Sequence, residues 1–346
     1  MILYRKAAPL RVRRSPAPEA PFWAATAIAP YGTRRASPIA IDYLALRASA
    51  SDKLEVGVCD DVRDELERAK EIRGPVLIEA TESAETVFRR GEEALAFCEE
   101  RGLGALHLVS TRGTLPQRVY DGATIVIAAW PLDVAQLAEL FADAAARGLA
   151  FGVAVPVVFP LTTELAPLAE LADTAKERGA AFLAAIAVDV EPTAKQSLAQ
   201  SMGLDADDDR YAMLFHSTLE PVHVATERHI AALAHERGLP DFIVPPQWEE
   251  RSNWNAAVLL TRTASRMIAM ELDLDLAGTI ARSARTIAEL DKPVTRVAEA
   301  ASLGIIGGLD EVSADALTEW VGGGSASFVE YVDEMWRARR GVVVES

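Results

Sequence analysis

From Phe22 to Val244 the chain alternates short, nearly unbroken apolar runs with stretches of helical period. Apolar runs bounded by turn residues read as strands buried on both faces, which is the signature of a parallel sheet. The expected strands are residues 22–30, 53–58, 75–80, 105–109, 124–129, 151–158, 182–190 and 241–244. Between them lie expected helices at 62–72, 84–101, 134–146, 165–178 and 223–236. In the second of these, Ala84, Val87, Phe88, Gly91, Ala94, Leu95 and Cys98 share one face. Gly102, Gly148, Gly179 and Gly238 are placed to end four of the helices. A strand, helix and strand within about 30 residues is the spacing of a right-handed crossover unit. The fold class expected is therefore α/β, a (βα) barrel of TIM type, partial or complete, over residues 21–250. An open doubly wound sheet is the alternative. No Gly-x-Gly-x-x-Gly follows an expected strand and no P-loop is present, so a dinucleotide or nucleoside triphosphate site has no support.

Beyond residue 251 the alternation stops. Residues 255–270, 276–290, 294–301 and 314–321 read as helices, and 251–346 is expected to form a C-terminal helical cap. At the other end, residues 1–20 gather Arg5, Lys6, Arg11, Arg13 and Arg14 among prolines and read as a flexible basic, Pro-rich arm. That cluster stands against a formal net charge of −16, which argues against a nucleic-acid or membrane-surface role. No apolar run reaches the roughly 18 residues of a membrane span, and Met1 to Leu10 lacks a signal-peptide core, so a cytoplasmic protein is expected. Cys59 and Cys98 are too few for a disulfide framework or a four-cysteine zinc site. Cys98 is expected in the core.

After the first expected strand comes APYGTRRASPIAIDY, residues 29–43. Pro30, Tyr31 and Gly32 resemble the Asn-Pro-Tyr-x-Gly-Cys frame of the spore photoproduct lyase-like branch of the radical-SAM superfamily, with Ala29 in place of the asparagine. In that branch Cx3Cx2C cysteines hold a four-iron, four-sulfur cluster. Here Thr33, Ser37 and Ala40 occupy those positions. The branch's Asp-containing turn is similar to residues 56–61, its Thr-Lys-Ser strand end to IEATES at 78–83 with Glu82 at the lysine, and its fifth strand to GVAVPVVFPLTTE at 152–164. The resemblance implies a barrel that kept its fold and lost its cluster, a pseudoenzyme that binds a small molecule or an active partner enzyme in a biosynthetic or repair pathway. Whether S-adenosylmethionine would still bind is left open, because the cluster that anchors it would be missing.

In a parallel barrel the site lies at the carboxyl ends of the strands. That rim is expected to hold Asp60, Asp61, Glu79, Thr81, Glu82, Ser110, Thr111, Arg112, Asp133, Thr162, Thr163, Glu164, Asp189, Glu191 and Lys195. Glu79, Glu82, Asp189 and Glu191 are the candidate catalytic residues. Glu79 and Asp189 fall inside apolar strands, where a carboxylate is either paired with a cation such as Arg112 or Lys195, or raised in pKa as a general acid or base. Thr33, Arg34, Arg35, Ser37, Asp60, Thr81, Thr111, Arg112 and Trp130 are the candidate ligand-binding residues; the two adjacent arginines either hold an anion or neutralise the rim. Lys195 reads as a solvated helix start or a Schiff-base lysine. His216, Glu220 and His223 fix no metal site, and His229 and His235 point to different helix faces, so no metal is expected. His107, within ALHLVST, is expected as a satisfied core or wall histidine. Trp130, Trp248 and Trp254 either seat the helical segment or form an aromatic wall.

Three function classes follow: the cluster-less binding protein; a non-radical barrel lyase, isomerase or hydrolase using rim carboxylates; and an interaction protein working through its helical tail.

Overall fold

The computed structural model describes residues 13–14, 26–28, 76–79, 85–111, 113–117, 120–130, 132–157, 165–187, 207, 209–216, 220–244, 251–288, 290, 292–299 and 302–338. Seven strands form one sheet in sequential order: β1 (Arg13–Arg14), β2 (Thr26–Ile28), β3 (Val76–Glu79), β4 (Ala105–Ser110), β5 (Ala123–Ala128), β6 (Phe151–Val157) and β7 (Leu183–Ala187). β2 to β7 run parallel, and β1 pairs antiparallel with β2 within the segment expected as a flexible arm. The expected strand and helix at 53–58 and 62–72 lie outside the described residues. Residues 241–244, expected as a last strand, are bends and coil; Leu183 N–H donates to Pro240 O at 3.0 Å, which places this segment at the amino end of β7.

Helices α1 (Glu85–Glu100), α2 (Val134–Ala146), α3 (Leu165–Glu177) and α5 (Glu220–Glu236) pack on the sheet; a short α4 (Asp209–His216), not foreseen in the sequence, precedes α5. Each sheet helix ends as its glycine suggests. Gly102, Gly148, Gly179 and Gly238 all have φ between 63° and 83°. The following residue's N–H returns to a carbonyl five residues back, as from Leu149 to Ala144 (3.0 Å) and from Leu239 to Ala234 (2.9 Å). At the other end of α2, Asp133 caps the helix by accepting from Gln136 N–H at 3.0 Å.

The register divides the sheet into two faces. Ile78, His107, Ile125 and Phe151 line up across β3 to β6, as do Val109, Ile127, Val153 and Leu183 across β4 to β7. These face the helices. Val109, Ile127 and Val153 share a core with Leu137 and Phe141 of α2, Leu168 and Leu171 of α3, and Ile230 and Leu233 of α5. Ile78 joins Leu95 and Cys98 of α1. Phe141 stacks on Phe151 with centroids 5.5 Å apart. The opposite face carries Leu108, Val126 and Gly152 in one row and Ser110, Ala128, Ala154 and Ala184 in the next, towards the carboxyl ends. Gly152 has a steric reason: a Cβ there would overlap the fully buried Phe182 ring.

The C-terminal helices are α6 (Arg251–Ala269), α7 (Leu274–Ala288), α8 (Val294–Glu299), α9 (Glu311–Gly323) and α10 (Ser327–Ala338), with a 3-10 turn at Leu303–Ile305. The first four of these match expected helices, and α10 was not foreseen. Ala256, Leu260, Ala264 and Met267 of α6 meet Ala277, Ile280 and Ala284 of α7 in a second core, to which Ala231 of α5 also belongs. Asn253 fastens the turn into α8: its Nδ2 donates to Leu290 O (3.2 Å) and Lys292 O (3.0 Å), and its Oδ1 accepts from Val294 N–H at 2.5 Å. Where the segment meets the α/β part, Arg266 pairs with both Asp241 and Asp333, and Arg262 pairs with Asp333 at 2.8 Å. Asp241 lies at the amino end of β7, so this described junction is far from the strands' carboxyl ends, and the segment flanks the sheet there.

Gly152→Ala forces the Phe182 ring out of place. It is expected to lower stability by about 1–3 kcal/mol in chemical denaturation, with part of the loss recovered when Phe182→Leu is added.

Candidate functional site

The carboxyl ends of β3, β4 and β5 carry the described part of the expected rim. Glu79 is the last residue of β3 and is in register with Leu108, which puts it on the face opposite the helices. Ser110 ends β4 on the same face and is half-buried. Beyond it Gly113 N–H donates to Ser110 O at 2.9 Å, closing a turn so tight that a Cβ on Gly113 would strike Val109. Thr111 is buried: its N–H donates to Trp130 O and its hydroxyl to Ala128 O, both at 3.3 Å. Its proton therefore ties β4 to β5 instead of pointing at a ligand. Trp130 is half-buried just past β5, with its backbone locked into the same turn. Asp133, expected on the rim, serves as the α2 cap.

Thr33, Arg34, Arg35, Ser37, Ala40, Asp60, Asp61, Thr81, Glu82, Arg112, Thr162, Thr163, Glu164, Asp189, Glu191, Lys195 and Trp248 lie outside the described residues. The structure thus brings Glu79, Ser110, Thr111 and Trp130 to one end of the sheet. The row of Ser110, Ala128, Ala154 and Ala184 was not read in the sequence as a unit. Alternation in each strand hints at it, but only the register aligns the four.

His107 is fully buried within β4 on the helix-covered face. Burial pulls its pKa down to about 3, so the ring is neutral, and its Nδ1 has no hydrogen-bond partner among the described residues. The expectation of a core position is met. His216 and His223 fall on separate helices, α4 and α5. Among the described residues no group of three His, Cys, Asp or Glu could hold a metal ion.

The donors for an iron–sulfur cluster do not fit. Cys98 is buried among Ile78, Leu95 and Ala105, and burial pushes its thiol up to about 12 against the opposing effect of a hydrogen bond shared with Tyr120. A thiol held protonated in an apolar cluster is a core residue, not a metal ligand. Tyr120 donates to Leu103 O at 3.2 Å, which anchors the turn into β5 on α1.

No protein-family model, curated protein or solved structure matches this chain. Among the described residues, no helix is long and apolar enough to cross a membrane.

The sign of the His107 effect follows from its lowered pKa. The unfolded histidine takes its proton near 6.5, while the folded one resists until about 3. Between those values the unfolded state binds more protons, so the contribution is complete above pH 6.5 and is lost as the pH falls towards 3. Comparing denaturation of the protein and its His107→Leu variant from pH 7.5 to 4 isolates this term: the variant is expected to lose less stability over that range.

Proposed function

We propose that the chain is a small-molecule-binding protein on a (βα) barrel of cluster-less, radical-SAM-like type, acting as a pseudoenzyme or accessory protein. The observation that carries this reading is the winding of the sheet. β2 to β7 follow one another without reversal, and α1, α2, α3 and α5 contribute to the cores on a single face. A doubly wound sheet reverses its strand order and covers both faces with helices; a barrel does neither. The face away from the helices then becomes the lumen. Its carboxyl-end row of Ser110, Ala128, Ala154 and Ala184 presents short side chains, which leaves more room than the Leu108 and Val126 row beneath. Ligands of such barrels bind at that end.

The lineage rests on Pro30, Tyr31 and Gly32, and the loss of radical chemistry rests on Thr33, Ser37 and Ala40 where thiolates would stand. A second reading is favoured by Glu79. It ends β3 in register with Leu108, and in a barrel a glutamate at a strand's carboxyl end would serve a non-radical lyase, isomerase or hydrolase as general acid or base.

Calorimetric titration with S-adenosylmethionine tests the binding reading. Saturable binding at one site, abolished by Ala154→Leu with the melting temperature retained, would support it. Absence of heat at millimolar ligand, or binding indifferent to Ala154→Leu, would contradict it. Anaerobic reconstitution with iron and sulfide is expected to give no cluster absorbance; a stoichiometric cluster would restore a radical mechanism.

A further inference from the structure

The last described helix, α10, is attached differently from the others. Its link to α9 is Gly322, Gly323, Gly324 and Ser325, all exposed. Gly324 takes φ 76° and closes α9 by donating to Trp320 O at 2.7 Å. A Cβ on Gly322 or Gly323 would meet nothing within 4 Å, so no crowding demands glycine at either position. Two glycines in the last turn of a helix weaken it, by about 1 kcal/mol each relative to alanine. Their effect here is a pliable joint.

Past that joint α10 is held by polar and apolar contacts together. At its start Ser327 N–H donates to Glu319 Oε2 of α9 at 2.6 Å. In its middle Asp333 accepts from Arg262 and Arg266 of α6. Near its end Trp336 lies under the guanidinium of Arg228, 4.9 Å from the ring centroid, with Arg266 at 5.9 Å, and Arg337 Nη1 meets His235 Nδ1 of α5 at 3.1 Å. The apolar side of the contact is Val332 and Trp336, with Phe328 and Met335, against the α5–α6–α7 core, and Ala326 and Val329 against Ala316 of α9 and Leu259 of α6.

Asp333 and Arg266 are only 18 % and 9 % exposed at their side chains. A pair buried to that degree adds little net stability when complete, yet removing one partner leaves the other charge uncompensated. Such a contact behaves as a latch: it specifies one seating and fails sharply when one side is lost. Asp241 shares Arg266 but belongs to the chain beside β7, so it holds the arginine in place without touching α10's own attachment.

We propose that α10 is a hinged strap, which opens and closes as a unit about Gly322–Gly324 and is latched shut by Asp333 on Arg262 and Arg266. In the closed state it covers Arg228 of α5 and Arg262 and Arg266 of α6. Opening uncovers those arginines while the sheet and its helices stay folded.

Hydrogen exchange on the full chain, with and without Asp333→Asn, tests this. Exchange across Ser327–Ala338 is expected to rise about tenfold or more, with α2 and β6 unchanged. Arg266→Met, which keeps an apolar stem, is expected to reproduce the effect, and Asp241→Asn to give a smaller one. Unchanged exchange in α10 would overturn the strap, as would an equal rise in α2 and β6, which would make the ion pairs a global support.

Discussion

The parallel ladder from β3 to β7 buries both of its faces, and the rest of the α/β part depends on that constraint. Helices α1, α2, α3 and α5 can cover one face only, through the rows built on His107, Ile125 and Phe151 and on Val109, Ile127 and Val153. On the other face Leu108, Val126 and Gly152 are buried as well. Phe182 over Gly152 shows how that face packs: a large ring is accommodated because the neighbouring strand has no side chain there. The small residues above it sit where the strands end.

Electrostatics divides the molecule differently. The described arginine cluster lies at the amino end of β7, where Arg262 and Arg266 hold Asp241 and Asp333. Burial draws the Arg262 guanidinium's pKa down, countered by the Asp333 carboxylate. The helical segment is therefore tied to the α/β part through charge as well as through the apolar contact at Ala231.

Much of this was legible in the sequence, for identifiable reasons. Continuous apolar runs such as 105–109 and 151–158 announce strands buried on both sides, and a glycine after each amphipathic run marks the helix ends that Gly148 and Gly238 form. Cys98 on an apolar helical stripe could be placed in the core on periodicity alone. Other features were hidden because they depend on contacts distant in sequence. The polar surroundings of Asp209–His216 masked a short helix, and α10, which follows Gly322, Gly323 and Gly324, was not read either. Residues 241–244 have strand-like composition but take their place from a single backbone bond to Leu183. His107 was placed in the core, but that its Nδ1 has no partner among the described residues depends on the packing around β4. Of the site, Glu79, Ser110, Thr111 and Trp130 were named from strand ends, but Thr111's role as a tie between β4 and β5 required the register.

Because side chains alternate along a strand, a slip of one residue would exchange the two faces completely. Methyl-to-methyl nuclear Overhauser effects in a deuterated, Ile/Leu/Val-labelled chain read the faces directly. Ile127 and Val153 should show cross-peaks to Leu137, Leu168 or Leu171, and Leu108 should show one to Val126 with none from either to those helix leucines. Cross-peaks from Val126 or Leu108 to Leu137 or Leu171 would place helices on the presumed lumen face and contradict the singly wound arrangement.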